Sequence, residues 1–375
     1  MKIGFDARLI SSLGIGRYIS GLLPQLADIL QDRLLVISRP TELALVRALT
    51  AGRGRLMVSD AAPYRLAEQS TFLLSLLRAG AAVMHFPHYN LPLAYPRPFV
   101  VTIHDLFSFR FPDIHSGRLA RLANQLLITN AAHRSAAIIT PSRTTAEEVG
   151  RRFPSSGARI QPIAEAASPR FGPDRNPAAE VAWQRYFGIR PPYFLYLGQW
   201  KPYKNVPLLI EAFVRVVAQR PDVQLVVAGH DPRYPEVTAA RSRLPAGSLV
   251  LPGHLPDDAV ADLYRGAVAV VMPSRAEGFG LPVLEAMACG VRVVCSDLSV
   301  LRELADGVAI FCDPESVDAF AAGMLAALSP PPGDDRVRRG IERARQFSWR
   351  KAAEETATIY ERVLAARPRR RSDID

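Results

Sequence analysis

The feature that most constrains this chain is an alternation of short apolar runs with longer stretches whose apolar residues recur at helical spacing. Residues 2–9 read as a strand. Tyr18, Ile19, Leu22, Leu23, Leu26, Ile29 and Leu30 then share one helical face, with a kink expected at Pro24. Val83–Phe86 and residues 99–103, 136–140 and 159–163 continue the series as strand candidates, separated by helical segments. Strands that alternate with helices form a mostly parallel sheet, because each return crossing needs a helix. The Pro- and Gly-rich run at residues 168–177, SPRFGPDRNP, reads as a linker. The pattern then restarts, with strand candidates at Tyr193–Leu197 and at residues 223–228, 248–251, 268–272, 291–295 and 308–311, and a helix at residues 205–218. The expectation is an α/β chain of two sequential doubly wound domains, with ligands at the carboxyl ends of the strands.

The expected boundaries are residues 1–170 and 171–347. The prolines of residues 329–333 break the chain, and Ser348 is placed to cap a last helix at 348–364 that packs back toward the first domain. Residues 365–375 form a basic tail expected to be disordered. Two domains suit the length of 375 residues, and 49% hydrophobic with 22% charged residues is a soluble composition. No run approaches the roughly 20 apolar residues of a membrane-spanning helix, and the opening MKIGFDARLI lacks the pattern of a secretory signal. Cys289, Cys295 and Cys312 have no metal-ligand spacing and read as small buried residues in a reducing cytoplasm. The net charge of +10 fits a phosphate-bearing ligand, an anionic membrane or nucleic acid. No aromatic-basic RNA motif or zinc finger is present, so no nucleic-acid partner is expected.

The chemistry-bearing segment is PSRAEGFGLPVLEAMACG, residues 273–290. A strand ends near Met272, a loop with Gly278 and Gly280 follows, Pro282 suits a helix start and Gly290 its end. A glycine loop feeding a helix amino terminus offers N–H groups and a favourable dipole to a diphosphate. Glu277 and Glu285 flank it, and carboxylates accept hydrogen bonds from sugar hydroxyls. A purely structural role for both acids fits the pattern equally well. Elsewhere, Lys204 in LGQWKPYKN, residues 197–205, stands before a helix, where an ammonium stabilises a departing diphosphate without a metal. Gly14 and Gly16 allow close backbone approach at a helix start. His104 and Asp105 follow a strand, and with His85 and His88 they lack zinc-type spacing. Asp257 and Asp258 fit a helix start after Pro256.

Glu277, GFGLPVL and Glu285 resemble the Glu-x7-Glu signature of the retaining nucleotide-sugar glycosyltransferases of family 4, which have the GT-B fold. The resemblance runs from Gly14 to the last helix and is nearest to bacterial mannosyltransferases that use GDP-mannose. It implies two Rossmann-like domains facing across a cleft. It implies that Glu277 and His104 orient the hexose and that Lys204 binds the diphosphate, these three forming the catalytic set. Donor contacts are implied for Gly16, Gly198, Leu255, Gly278, Phe279, Gly280 and Leu281, with Glu285 toward the ribose. His88 and Tyr89 would line the acceptor side. No cofactor and no metal are implied, and retention would proceed by front-face attack with the phosphate assisting deprotonation. The sequence departs from the family at Tyr203 and Gln199, where arginines often stand, so Lys201 or Arg275 would have to supply a second cation. It departs again at residues 164–171, AEAASPRF, where Asn-Gly-Val-Asp is usual.

The function implied is transfer of a hexose, mannose from GDP-mannose, to a glycan or lipid-linked saccharide in cell-surface polysaccharide synthesis. The rivals are a UDP-sugar enzyme making a small glycoside, and an inactive nucleotide-sugar-binding protein. The arginine- and leucine-bearing segments 65–78 and 118–127 fit either amphipathic packing or a membrane surface for the acceptor, which would make a cytoplasmic protein peripheral at the inner face of the membrane.

Overall fold

A computed structural model describes residues 1–111, 114, 117–229 and 235–366. The chain divides into two compact units, Met1–Glu165 together with the segment from Ser348 onward, and Ala166–Phe347. The first unit carries strands β1 (Ile3–Asp6), β2 (Leu34–Ser38), β3 (Arg55–Val58), β4 (Val83–Phe86), β5 (Phe99–Thr102), β6 (Ala137–Thr140) and β7 (Ile160–Pro162). They form one parallel sheet in the order β3-β2-β1-β4-β5-β6-β7. The second unit carries β8 (Tyr193–Leu197), β9 (Gln224–Ala228), β10 (Leu249–Gly253), β11 (Ala269–Met272), β12 (Arg292–Ser296) and β13 (Ile310–Cys312). These are also parallel, in the order β10-β9-β8-β11-β12-β13. The central strands are buried on both faces, as parallel sheets covered by helices must be.

Strand order positions the loops. In each unit the order reverses direction at one place, between β1 and β4 and between β8 and β11, and in sheets of this kind ligands bind at the carboxyl ends of the strands beside such a reversal. The loops after β1 and β4 therefore flank one reversal, and those after β8 and β11 flank the other.

Several elements differ from the sequence expectation. Strand β1 stops at Asp6 rather than residue 9, because the Asp6 carboxylate turns back to accept from the Arg8 backbone N–H at 3.1 Å and from its guanidinium. Strand β2 was not anticipated, since its leucines continue the apolar spacing of the preceding helix, and the helix ends only where Gln31 takes a positive φ of 49°. Edge strand β3 is largely exposed and carries a weak apolar signal. One helix, Leu13–Leu30, runs through Pro24 and already includes Gly14 and Gly16. Segment 65–78 is interrupted by a π-helical turn, Glu68–Phe72, which turns Glu68 and Phe72 into the core. The run at 168–177 is tied down rather than free. The Arg265 guanidinium donates to the carbonyls of Gly172 (2.8 Å) and Arg170 (2.9 Å), and the Phe171 ring meets Tyr264 edge-on.

The last helix, Trp349–Ala365, is capped by the Ser348 hydroxyl, which accepts from the Lys351 N–H at 3.5 Å. It packs along Leu13–Leu30, where Gly21 makes room for the Trp349 ring. The basic tail from residue 367 lies outside the described residues. Among the described residues no helix is long and apolar enough to cross a membrane.

Candidate functional site

In the second unit, the loop after β11 passes through Glu277 to Gly280, which caps the helix Leu281–Ala288 at φ +104°. A side chain there would strain the backbone and bring a Cβ within 2.7 Å of Leu301 Cδ2, so glycine is required for this entry. Pro282 occupies the second helical position. The helix closes in a Schellman arrangement, with the Gly290 N–H on the Met287 carbonyl and the Val291 N–H on that of Ala286. Its amino end, with its positive dipole, lies at the strand-order reversal.

The loop after β8 brings Lys204 to the same place. A single 3-10 turn, Pro202–Lys204, ends at Asn205, which is left-handed and anchored by its amide to the Pro314 carbonyl at 2.8 Å. The Arg275 N–H donates to the Tyr203 carbonyl at 2.7 Å and joins the two loops. Lys204 Nζ then donates to both Glu277 oxygens, at 2.8 and 2.9 Å. The side chains are 16% and 7% exposed, so the pair is largely but not wholly screened from solvent. Gly198 and Gly229 press the loops after β8 and β9 together, since a Cβ on Gly229 would run into the Gly198 carbonyl oxygen.

The remaining expected residues of this unit separate by exposure. Phe279 is a core residue, edge-on to Phe347, and only its backbone belongs to the loop. Leu255 is buried in the same core. Glu285 is 2% exposed and accepts from the Tyr264 hydroxyl at 3.0 Å. Arg275, the second cation the sequence offered, donates from Nε and Nη2 to the two Glu315 oxygens, at 2.7 and 2.9 Å. His230 and Asp231, which follow Gly229 in the sequence and are candidates to border the nucleotide base, lie outside the described residues. Asp257 and Asp258 occupy the first turn of the helix Asp257–Gly266. The cysteines are free and buried, and desolvation pushes the Cys289 and Cys312 thiols up to about 12, which keeps them protonated.

In the first unit, His88, Tyr89 and His104 gather at the carboxyl ends of β4 and β5. The His88 ring lies 3.8 Å from Tyr89 and stacks at 6.5 Å on His104. His88 Nδ1 accepts from the Asn90 N–H at 3.3 Å and faces the Tyr64 hydroxyl at 3.1 Å, so its hydrogen sits on Nε2. Burial, and secondarily the charge of His104, push His88 down to about 3, and His85 likewise. His85 is part of the core, bonded to Tyr360 and Thr102. His104 differs: Nδ1 lies 3.2 Å from Glu165 and Nε2 2.9 Å from the Pro87 carbonyl. Burial disfavours its charge, but the Glu165 carboxylate, the Pro87 carbonyl and Asp105 together outweigh burial and its pKa is raised. Gly16 packs against the Ile10 carbonyl, where a Cβ would collide, and that approach alone requires glycine. Among the described residues no group of three His, Cys, Asp or Glu side chains is placed to hold a metal ion.

Sequence reasoning missed a buried charge cluster beneath this surface. Arg8 binds Asp6 at 2.8 Å and Glu68 at 2.6 Å, and its guanidinium lies 3.3 Å from the Phe72 ring centroid. Glu68 also accepts from the Asn90 amide at 3.0 Å and the Tyr64 N–H at 3.0 Å, which links the cluster to the His88 loop. An acid and an arginine two residues apart at a strand end were the available signal. Glu165 was visible only as an unusual residue in the run at 164–171.

Residues 13–166 match the family described as Glycosyltransferase Family 4, and residues 183–347 match Glycosyl transferases group 1. The chain is 32% identical over 296 residues to the O-antigen chain mannosyltransferase B of Escherichia coli, covering 74% of each chain. It is 30% identical over 398 residues to a D-inositol 3-phosphate glycosyltransferase of Kribbella flavida, covering 92% of this chain and 90% of that one. Among solved structures, HepE of Anabaena in complex with UDP-glucose superposes with a TM-score of 0.77 at 17% identity, covering 96% of this chain and 100% of that one. Sucrose-phosphate synthase of Thermosynechococcus elongatus superposes at 0.76 with 19% identity, covering 98% and 100%. Two Rossmann-like units, each built on a parallel sheet, with these matches identify a GT-B fold, and the chain belongs to the family 4 glycosyltransferases, which draw their sugar from nucleotide-sugar donors.

Proposed function

We propose that this glycosyltransferase moves mannose from GDP-mannose, with retention, onto a glycan or lipid-linked saccharide in cell-surface polysaccharide synthesis. The observation that carries the site assignment is the Lys204–Glu277 pair beside the glycine loop. Without a donor each is the other's counter-ion. A bound diphosphate gives Lys204 a second anion, and the hexose hydroxyls give Glu277 donors in place of the ammonium. Lys204 and the loop at Gly278, Phe279, Gly280 and Leu281 then stabilise charge that grows on the leaving diphosphate, which accelerates transfer because it is strongest in the transition state. Gly16, Gly198 and Leu255 are assigned to the donor through backbone, and Glu285 to the ribose, oriented by Tyr264. On the first unit His104 takes the hexose, and His88 with Tyr89 the acceptor. Similarity to the mannosyltransferase of Escherichia coli supports mannose.

A lipid-linked acceptor agrees with the helix Arg118–Arg134. Leu119, Leu122 and Leu126 are 83%, 60% and 56% exposed on one face, Arg118 and Arg121 flank them, and the helix has no acid. This surface is assigned to an anionic membrane, making the enzyme peripheral at the cytoplasmic face. Similarity to a D-inositol 3-phosphate glycosyltransferase supports a second reading, a small phosphorylated acceptor. Incubation of the purified chain with GDP- and UDP-sugars, scored by thermal shift and by release of nucleotide, tests the donor. Turnover with UDP-sugars and none with GDP-mannose would refute the mannose assignment.

A further inference from the structure

The His104 ring sits between two hydrogen-bond acceptors. Its Nε2 faces the Pro87 carbonyl, an atom that only accepts, so Nε2 carries a hydrogen. Its Nδ1 faces Glu165 Oε1, and Glu165 is 4% exposed, the last residue of the first unit before the chain leaves it. We propose that Glu165 is a positioning residue that locks His104 as a doubly donating imidazolium. His104 then offers the sugar a fixed positive charge and has no lone pair with which to act as a base.

The surroundings of the ring support this assignment. Tyr18, from the helix Leu13–Leu30, meets it edge-on at 4.9 Å, and burial keeps that phenol protonated. His88, after β4, stacks on it, and His85, within β4, interacts with its charge; burial holds both neutral. Asp105, the neighbour in sequence, accepts from the Phe107 N–H at 2.9 Å and adds a second negative charge. Glu165 is the anion in direct contact with the ring. Pro87 fixes the ring plane from the loop after β4, and Glu165 fixes it from the loop after β7, so its orientation is set from both sides. The raised pKa of His104 agrees with this arrangement, and so does the depression of its two histidine neighbours.

The kinetic part of the inference rests on the hexosyltransferase reading, whereas the protonation state does not. The test records nitrogen NMR of the full chain, labelled at histidine, from about pH 5.5 to about pH 9, in the wild type, Glu165→Gln and Glu165→Asp. The expected result is a wild-type His104 protonated at both nitrogens through neutral pH. Its midpoint should fall by about one pH unit or more in Glu165→Gln and return in part in Glu165→Asp. With the donor found by the panel, Glu165→Gln should lower kcat by roughly 10- to 100-fold, leave donor KM within about threefold, and move the alkaline limb of kcat to lower pH. A neutral His104 at pH 7 in the wild type, or an unmoved midpoint in Glu165→Gln, overturns the proposal. So does an unchanged kcat profile alongside a shifted midpoint. If the wild type turns over no donor, the functional reading fails, while the NMR result still decides the state of His104.

Discussion

Replacing Arg8 by alanine should be among the most damaging single changes to the first unit. Arg8 lies between two buried carboxylates, with donors at 2.8 Å to Asp6, 2.6 Å to Glu68 and 3.0 Å to the Ala61 carbonyl. Its removal leaves both acids buried without a counter-charge, a situation that costs about 3–5 kcal/mol, a large part of the roughly 5–15 kcal/mol that holds a domain folded. The loss should depend on pH with a definite sign. Burial raises the Glu68 pKa in the folded chain, and the attraction of Arg8 opposes that rise. Without Arg8 the folded-state value climbs further. A carboxyl whose folded pKa is raised contributes full stability below its unfolded pKa and loses it as pH rises through the folded value. The deficit of Arg8→Ala should therefore be largest at and above neutral pH and shrink as pH falls and Glu68 takes up a proton. The last helix supplies a local reporter. Of the three tryptophans, Trp349 packs in the first unit, whereas Trp183 and Trp200 belong to the second, so a Trp183→Phe, Trp200→Phe background reads the first unit alone. Urea unfolding followed by Trp349 fluorescence at pH ~5 and ~8 gives the two differences. A loss below about 1 kcal/mol at pH ~8, or one that grows toward acid, would refute the account of Arg8 as a required counter-ion.

Three further outcomes are expected. Lys204→Ala and Glu277→Gln should each reduce turnover by about 100- to 1,000-fold with the fold intact, measured by steady-state kinetics and circular dichroism; retained turnover in both would remove the site assignment. Gly280→Ala forces a side chain into φ +104° against Leu301 and should destabilise the second unit by about 1–3 kcal/mol while weakening donor binding, seen by thermal shift with and without nucleotide sugar. Replacing Leu119, Leu122 and Leu126 together by serine should abolish sedimentation with phosphatidylglycerol vesicles and leave donor hydrolysis unchanged; undiminished sedimentation would exclude this helix as the membrane contact.

Local signals were legible in the sequence wherever periodicity or turn chemistry was strong. Val83–Phe86 and Tyr193–Leu197 were read to the residue, because short apolar runs between turns look like strands however the chain folds. The glycine loop into Leu281–Ala288 and its close at Gly290 were equally plain, since only glycine suits those backbone angles. Strands β2 and β3 were hidden, one by the phase of the preceding helix and the other by its exposed edge position. The π-helical turn was hidden because a single extra residue per turn leaves almost no trace in an apolar pattern.

By itself, then, the sequence determined the two α/β series, the glycine loop and the acids beside it, all of which follow from neighbours along the chain. Tertiary structure decided which distant groups meet. Lys204 finds Glu277 across 73 residues, His104 finds Glu165 across 61, and Arg8 finds Glu68 across 60. No local period encodes these pairings. They follow from strand orders that bring particular loops to one end of each sheet, and from the cost of burying a charge without its partner.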